Sequence, residues 1–317
     1  MDKTNLKDSL PGVKENVLMS LHTTFKIGGP ARYFFSAESE KDIKNSVKAA
    51  IKSRLPFFIL GGGSNLLVAD EGYNGLVIKI QNPKIKCQKS KIYADAGLPL
   101  SSVVDSAWKN SLTGLEWAAG IPGTFGGAIY GNVSAFGPRM ADAIESVKVL
   151  DTESLKIKKI AVEDCKFENK ESIFKKNKNL IILSAVLDLK RGDKKEIKEQ
   201  MGKHIDYRKD RHPINMPSAG CLFKNCEIED KAIFKKYPEL ALFENKDMIP
   251  TSYLIDKAGL KGKIIGKAQV SEKHANFIVN LGGAKAKDIL ELAKLVKEKV
   301  YDKFRIKLEE EVQKLGF

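Results

Sequence analysis

Apolar residues along this chain alternate between a spacing of four and short unbroken runs, and the changes mark its elements. Ile43, Val47 and Ile51 recur every fourth position, a period that places side chains on one helix face. Ser39 precedes them with Asp42 three residues on, so Ser39 is the predicted N-cap, its hydroxyl accepting from a first-turn N–H. The helix should stop before Pro56, because a proline disfavours helical backbone in the residue ahead of it. Phe57–Leu60 then reads as a short buried strand, followed by strands at Gly75–Ile80 and Lys91–Ala94. A second helix fits Leu100–Leu112, with Leu100, Val103, Val104 and Ala107 inward. Ser146–Leu150 and Leu180–Leu187 read as strands, and the polar helix Lys194–Arg208 bridges to a third unit. That unit holds a strand at Ala275–Asn280 and a helix from Lys287 to Phe304, striped by Ile289, Leu292, Ala293, Val296 and Val300. The reading is an α+β protein, with units expected at 1–82, 83–200 and 201–317.

The length of 317 residues supports this division, since it exceeds what one hydrophobic core usually serves. No run approaches the ~18 apolar residues of a membrane span, and the polar start Met1-Asp-Lys-Thr does not open a secretory signal. Cysteines at 87, 165, 221 and 226 form no Cys-x-x-Cys pair and have no histidine at zinc-ligand spacing. These features predict a reduced, metal-free, cytoplasmic protein; a monomer is expected, though the features do not fix it. The formal charge of +14 raises nucleic acid as a partner, but it comes from 47 lysines and only seven arginines. Nucleic-acid sites favour the planar arginine fork, and no recognition motif is present. A solvated lysine-rich surface that attracts a small phosphorylated substrate is the better reading.

Three segments carry candidate chemistry. Pro217-Ser-Ala-Gly-Cys-Leu-Phe-Lys-Asn225 places a thiol on a small-residue turn, with Lys224 and Asn225 beside it to hold an anionic or oxygen-rich substrate. The competing reading is a buried structural cysteine. Gly61-Gly62-Gly63-Ser64-Asn65 follows a strand and can bring backbone N–H groups close to a phosphate. It matches neither a dinucleotide fingerprint nor a Walker loop. The segment Gly120-Ile121-Pro122-Gly123-Thr124-Phe125-Gly126-Gly127 offers a second such surface. Together the loops imply one extended cofactor, its pyrophosphate on one loop and its ring system near the other.

Three N-terminal motifs, Thr24–Gly29, Leu60–Val68 and Gly114–Gly123, resemble the flavin-binding half of the UDP-N-acetylenolpyruvoylglucosamine reductase family. Pro217–Asn225, Ala258–Gly262 and Val270–Val279 are similar to its substrate-binding half. The resemblance spans nearly the whole chain and fits the shorter of the family's two variants. It implies a two-subdomain FAD-binding unit of the vanillyl-alcohol-oxidase-like type, followed by an α/β substrate-binding domain. The implied activity is NADPH-dependent reduction of the enolpyruvyl ether of UDP-N-acetylglucosamine to UDP-N-acetylmuramate, a peptidoglycan precursor. The partners are then the UDP-sugar and NADPH, with no nucleic acid and no membrane insertion.

By the same resemblance Cys221 is the proton donor, and Glu311 is the carboxylate that stabilises the enolic intermediate, ahead of its neighbours Glu309 and Glu310. Gly61, Gly62, Gly63, Ser64, Asn65, Gly120, Ile121, Pro122, Gly123, Thr124 and Gly127 contact FAD. Lys224, Asn225, His274 and Arg211 contact substrate. The chain departs from the pattern in Cys165-Lys-Phe-Glu-Asn-Lys-Glu-Ser-Ile-Phe-Lys175, where Asn169 and Lys170 replace a tyrosine and an arginine. Lysine keeps the charge and loses the bidentate fork. Either Lys170 still stabilises the developing enolate, or catalysis is impaired and the chain is a flavin-binding relative. A flavin oxidase with another substrate is the remaining alternative.

Overall fold

A computed structural model describes residues 6–228 and 230–317. By contacts the chain forms two compact units. The first comprises the described residues through Val17 with Pro30–Gly63 and Tyr73–Asp210; the second comprises Leu18–Gly29, Ser64–Gly72 and Arg211–Phe317.

Two larger sheets belong to the first unit. One runs in the order Lys14–Leu18, Pro30–Ala37, Tyr73–Ile80, Phe57–Leu60, and its last three strands are parallel. The crossover helix Glu40–Lys52 begins as expected, with Ser39 Oγ accepting from Asp42 N–H at 3.1 Å. Ile43 and Val47 are buried, but Ile51 is 47% exposed and Ala50 takes the inner position. A strict spacing of four overshoots each turn by about 40°, so by Ile51 the stripe has rotated out of the core.

The second sheet is antiparallel throughout, in the order Lys156–Ala161, Ile144–Asp151, Leu180–Asp188, Lys91–Asp95, Ile85–Gln88. The helix Leu100–Lys109 buries Leu100, Val103, Val104 and Ala107 as the periodicity requires. It ends before the expected Leu112, because Ser111 turns left-handed at φ +55° and Leu112–Thr113 pairs with Lys190–Arg191 as a short strand. Asp193 Oδ1 then accepts from the N–H groups of Lys195 and Glu196, opening the helix Lys194–Arg211. Through Asp210 that helix belongs to the first unit.

The second unit is built on the helix Ala286–Phe304, whose stripe of Ile289, Leu292, Ala293, Val296, Val300 and Phe304 is buried. A three-stranded antiparallel sheet of Ile264–Ile265, Ala268–Val270 and Ile278–Asn280 belongs to the same unit. The last of these strands is shorter than the predicted Ala275–Asn280. Residues before it serve another segment: Leu222 N–H donates to Asn276 O at 2.7 Å, and the Asn276 side chain bonds both the N–H and the C=O of Phe223. Leu66–Val68 pairs in parallel with Gln313–Leu315, so the chain's last strand closes on residues just past the first glycine loop. Thr24–Gly29 also belongs to this unit rather than to the glycine-loop unit. Thr24 Oγ1 donates to Ser218 O at 2.7 Å, and Asn280 Nδ2 donates to Phe25 O at 3.0 Å.

Candidate active site

In the first unit the two glycine loops meet backbone to backbone. A methyl group placed on Gly62 would lie 2.8 Å from Gly123 Cα, and one on Gly61 would strike the Thr124 hydroxyl. Only residues without side chains allow that approach. Thr124 caps the helix Phe125–Tyr130 by accepting from Gly127 N–H at 3.3 Å. Next to the junction lies a cleft of about 250 Å³, lined by Gly61, Gly62, Lys79, Gln81, Gly97 and Thr124 among others. The lining mixes backbone, Thr124 and Lys79 with the apolar Ile80, Leu98 and Pro99, and its polar part suits an anionic group such as a pyrophosphate. Gly120 is left-handed at φ +80° and Arg208 Cδ packs against it. The Arg208 guanidinium donates to Ala119 O at 3.0 Å and Trp117 O at 3.1 Å, fastening the loop just before Ile121-Pro122.

Ser64 and Asn65 continue the first glycine loop but belong to the second unit. Asn65 Nδ2 donates to Glu311 O at 3.1 Å, and Gln313 N–H donates to Asn65 O at 3.1 Å. The predicted cofactor residue Asn65 therefore also fixes the backbone of the predicted catalytic carboxylate.

Cys221 follows Gly220, left-handed at φ +80°, and is half-buried. Its segment is paired on both sides. Cys221 bridges to Phe277 and Phe223 to Glu310, both antiparallel. Glu311 N–H donates to Leu222 O at 2.8 Å, and Lys224 N–H donates to Glu309 O at 2.9 Å. The three adjacent carboxylates differ in what they meet. Glu309 pairs with Lys224 at 2.6 Å, and Glu310 sits between Lys297 and Lys314, each at 2.6 Å. Burial would raise the Glu310 carboxyl, but the two lysines outweigh it and hold it below the usual range. Asn225 Oδ1 accepts from Thr251 N–H at 3.2 Å, at the start of the helix Thr251–Lys257.

His274 Nδ1 is buried with no hydrogen-bond partner, and burial depresses the imidazole to about pKa 4. Its ring packs edge-on against His212 and Phe277, at centroid distances of 5.2 and 4.9 Å. Phe277 is the residue bridged to Cys221. Arg211 is exposed at the end of the helix Lys194–Arg211. The structure thus gathers Cys221, Lys224, Asn225 and Glu311 on paired segments of one unit. Lys170 belongs to the other unit.

Lys170 lies in the tight turn Glu168–Glu171, with left-handed backbone at φ +57°. That conformation costs an ordinary side chain about 1–2 kcal/mol. Asn132 Nδ2 donates to Glu168 O at 2.8 Å, and Ser172 Oγ donates to Tyr130 O at 2.7 Å. These bonds tie the turn to the end of the helix that follows the second glycine loop. Tyr130 is half-buried; burial, and then the Glu171 charge, raise its phenol above the ordinary value. The sequence offered Arg208 either as a phosphate contact or as a surface charge, and gave no role to Tyr130 or Asn132. Asn132 was visible only as part of a glycine-rich run, and Arg208 only as a charge.

Among the described residues no group of three or more His, Cys, Asp or Glu side chains could hold a metal ion, and no helix is long and apolar enough to cross a membrane. Residues 212–315 match the model of the UDP-N-acetylenolpyruvoylglucosamine reductase C-terminal domain, and residues 31–157 match an FAD binding domain. The chain is 38% identical over 305 residues to a UDP-N-acetylenolpyruvoylglucosamine reductase of Clostridium novyi, covering 96% of this chain and 92% of that protein. It is 37% identical over 313 residues to the protein of that name from Anoxybacillus flavithermus, covering 98% and 97%. The crystal structure of the Thermus caldophilus reductase superimposes with a TM-score of 0.76 at 33% identity, covering 95% of this chain and 98% of that one. The chain belongs to the UDP-N-acetylenolpyruvoylglucosamine reductase family.

Proposed function

We propose that this protein is the FAD- and NADPH-dependent reductase that converts UDP-N-acetylglucosamine enolpyruvate to UDP-N-acetylmuramate. The observation that carries the assignment of the site is the pairing of Glu311 N–H with Leu222 O at 2.8 Å, which holds a carboxylate segment beside the Cys221 turn. We assign residues 1–82 and 83–200 to FAD binding and 201–317 to substrate binding. A cytoplasmic, monomeric enzyme completes the reading.

The cleft in the first unit fits FAD, because the two glycine loops border it and Gly61, Gly62, Lys79 and Thr124 line it. Gly61, Gly62, Gly63, Ser64 and Asn65 would hold it with Gly120, Ile121, Pro122, Gly123, Thr124 and Gly127. Bound FAD would supply the two-electron hydride chemistry that links NADPH oxidation to reduction of the enol ether. Cys221 then donates a proton to the carbon adjacent to the enol ether's terminal carbon. Glu311 orients the substrate's enolic carbon, and the Lys170 ammonium offsets the charge that builds on its carboxylate.

Substrate contacts follow from what each side chain has to offer. Glu309 is 71% exposed. The Lys224 side chain is only 12% exposed, so its ammonium needs an anionic partner, and the solvated Glu309 can give that place up to a phosphate. Asn225 commits its carbonyl oxygen to Thr251 and offers its amide nitrogen. Being neutral at working pH, His274 gives the diphosphate a hydrogen bond, and Arg211 gives it charge.

Anaerobic mixing with NADPH should bleach the flavin, and the enolpyruvyl substrate should then restore its colour. Bleaching without recovery would overturn the substrate assignment. Protein that cannot be loaded with FAD would overturn the flavin assignment.

A further inference from the structure

In the turn that carries Lys170, the side chain of Lys175 takes hold of the backbone at its middle. Glu168 and Glu171 exchange backbone bonds, Glu168 N–H to Glu171 O at 3.1 Å and Glu171 N–H to Glu168 O at 3.3 Å. Asn132 and Ser172, both buried, fix the two shoulders through Glu168 O and Tyr130 O. Between them the Lys175 ammonium donates to Lys170 O at 2.7 Å and to Glu171 Oε1 at 3.1 Å. The Lys175 side chain is only 18% exposed. Its own N–H is taken by Ser172 Oγ at 3.3 Å, so its backbone is anchored to the same shoulder.

A surface lysine four residues from a glutamate ordinarily makes a solvated ion pair worth little. Here the ammonium is withdrawn from water and its shorter bond is to a carbonyl. Holding that carbonyl fixes the peptide plane after Lys170, and hence the left-handed turn that aims the Lys170 Cα–Cβ bond. Strained backbone of this kind persists only where its surroundings over-determine it.

We propose that Lys175 is a positioning residue for the reductase reaction, which locks the Lys170 turn so that the Lys170 ammonium meets the charge developing on the substrate carboxylate. The inference rests on the role given to Lys170 above. It requires the carbonyl bond, not the ion pair, to be the important contact.

The test uses FAD-loaded protein and separates the two half-reactions. Lys175→Met should slow substrate-driven flavin reoxidation by about tenfold to a hundredfold, the scale of a small misplacement of a reacting group. It should leave bleaching by NADPH within about twofold, since that step does not use Lys170. Glu171→Gln, which removes the ion pair and keeps the carbonyl bond, should slow reoxidation by less than about threefold. In a Lys170→Ala background, Lys175→Met should add nothing, because a residue acting through another loses its effect with it. Thermal melting of each variant without flavin reports any general loss of stability. Equal effects of Lys175→Met and Glu171→Gln, equal slowing of both half-reactions, or full additivity with Lys170→Ala would each overturn the proposal. If Lys175→Met does not fold, Lys175→Gln enters the same cycle. Unchanged reoxidation in Lys170→Ala would instead overturn the role of Lys170, with the wider reductase reading judged separately by colour recovery in the unsubstituted protein.

Discussion

Two tight turns carry the proposed proton donor and the proposed cation, and they are secured in opposite ways. The Cys221 turn is held largely by main chain: Leu222, Lys224 and Glu311 N–H groups all bond carbonyls of neighbouring segments, and the Asn276 side chain adds a clamp on Phe223. The Lys170 turn has its reciprocal pair from Glu168 to Glu171 and draws besides on the side chains of Asn132, Ser172 and Lys175. Main-chain pairing is indifferent to which side chain projects from it, so position 221 can carry a thiol without rebuilding the turn. A turn held by side chains has a point of failure at each one. A residue's catalytic value and the fragility of its placement are therefore separate quantities.

The largest expected effect tests the first half of that contrast. Cys221→Ala should slow substrate-driven reoxidation by about 10²–10⁴-fold, the usual worth of a positioned acid. Melting temperature and NADPH bleaching should stay close to those of the unsubstituted protein. A drop in melting temperature matching the loss of rate would make Cys221 structural. Asn276→Ala attacks the main-chain arrangement itself by leaving the buried N–H and C=O of Phe223 without their partner. It should cost about 3 kcal/mol in denaturant unfolding, since each orphaned buried group costs about 1–3 kcal/mol. A loss below ~0.5 kcal/mol would show that the Cys221 turn does not rely on this clamp.

Acid should loosen the Cys221 side selectively. The His274 imidazole stays neutral in the folded protein down to about pH 4, whereas it gains its proton near pH 6.5 when unfolded. The unfolded chain binds more protons in that window, so stability falls as pH drops from 6.5 towards 4 and recovers above it. The neighbours that bear on this histidine are His212 and Lys261. The loss should reach about 2–3 kcal/mol by pH 4, and His274→Leu should flatten it. An unchanged pH profile in His274→Leu would assign the acid sensitivity elsewhere. The smallest effect belongs to the other turn. Ser172→Ala removes both a helix cap and the bond to Tyr130 O, and should cost about 1 kcal/mol of stability. Reoxidation should slow by more than that stability loss alone suggests, because the Lys170 turn loses a shoulder. A rate unchanged from the unsubstituted protein would show that the turn tolerates the loss.

Local periodicity made much of the fold legible. The N-cap at Ser39, the inward face of Leu100–Lys109 and the stripe of Ala286–Phe304 follow from side-chain spacing, because backbone geometry alone decides which residues share a face. The misses came where distant segments compete for the same backbone. Leu112 left its helix to pair with Arg191, and residues 275–277 left their strand to serve Phe223. Ile51 was misplaced for a simpler reason, the drift of a four-residue spacing around a 3.6-residue turn. In the site, both glycine loops were visible as composition, but their mutual contact at Gly62 and Gly123 was not.

The sequence by itself determined the residue types available for chemistry: a thiol at 221, carboxylates at 309–311, a lysine at 170 and two glycine loops. It also determined the local elements that present them, since helix caps and hydrophobic periods act over a few residues. Tertiary structure decided which carboxylates the lysines occupy, that Asn65 and Asn276 act as backbone clamps, and that Lys175 holds Lys170 in a left-handed turn. Those outcomes depend on hydrogen bonds whose partners are chosen by packing, and no spacing along the chain encodes a partner that folding alone brings within 3 Å.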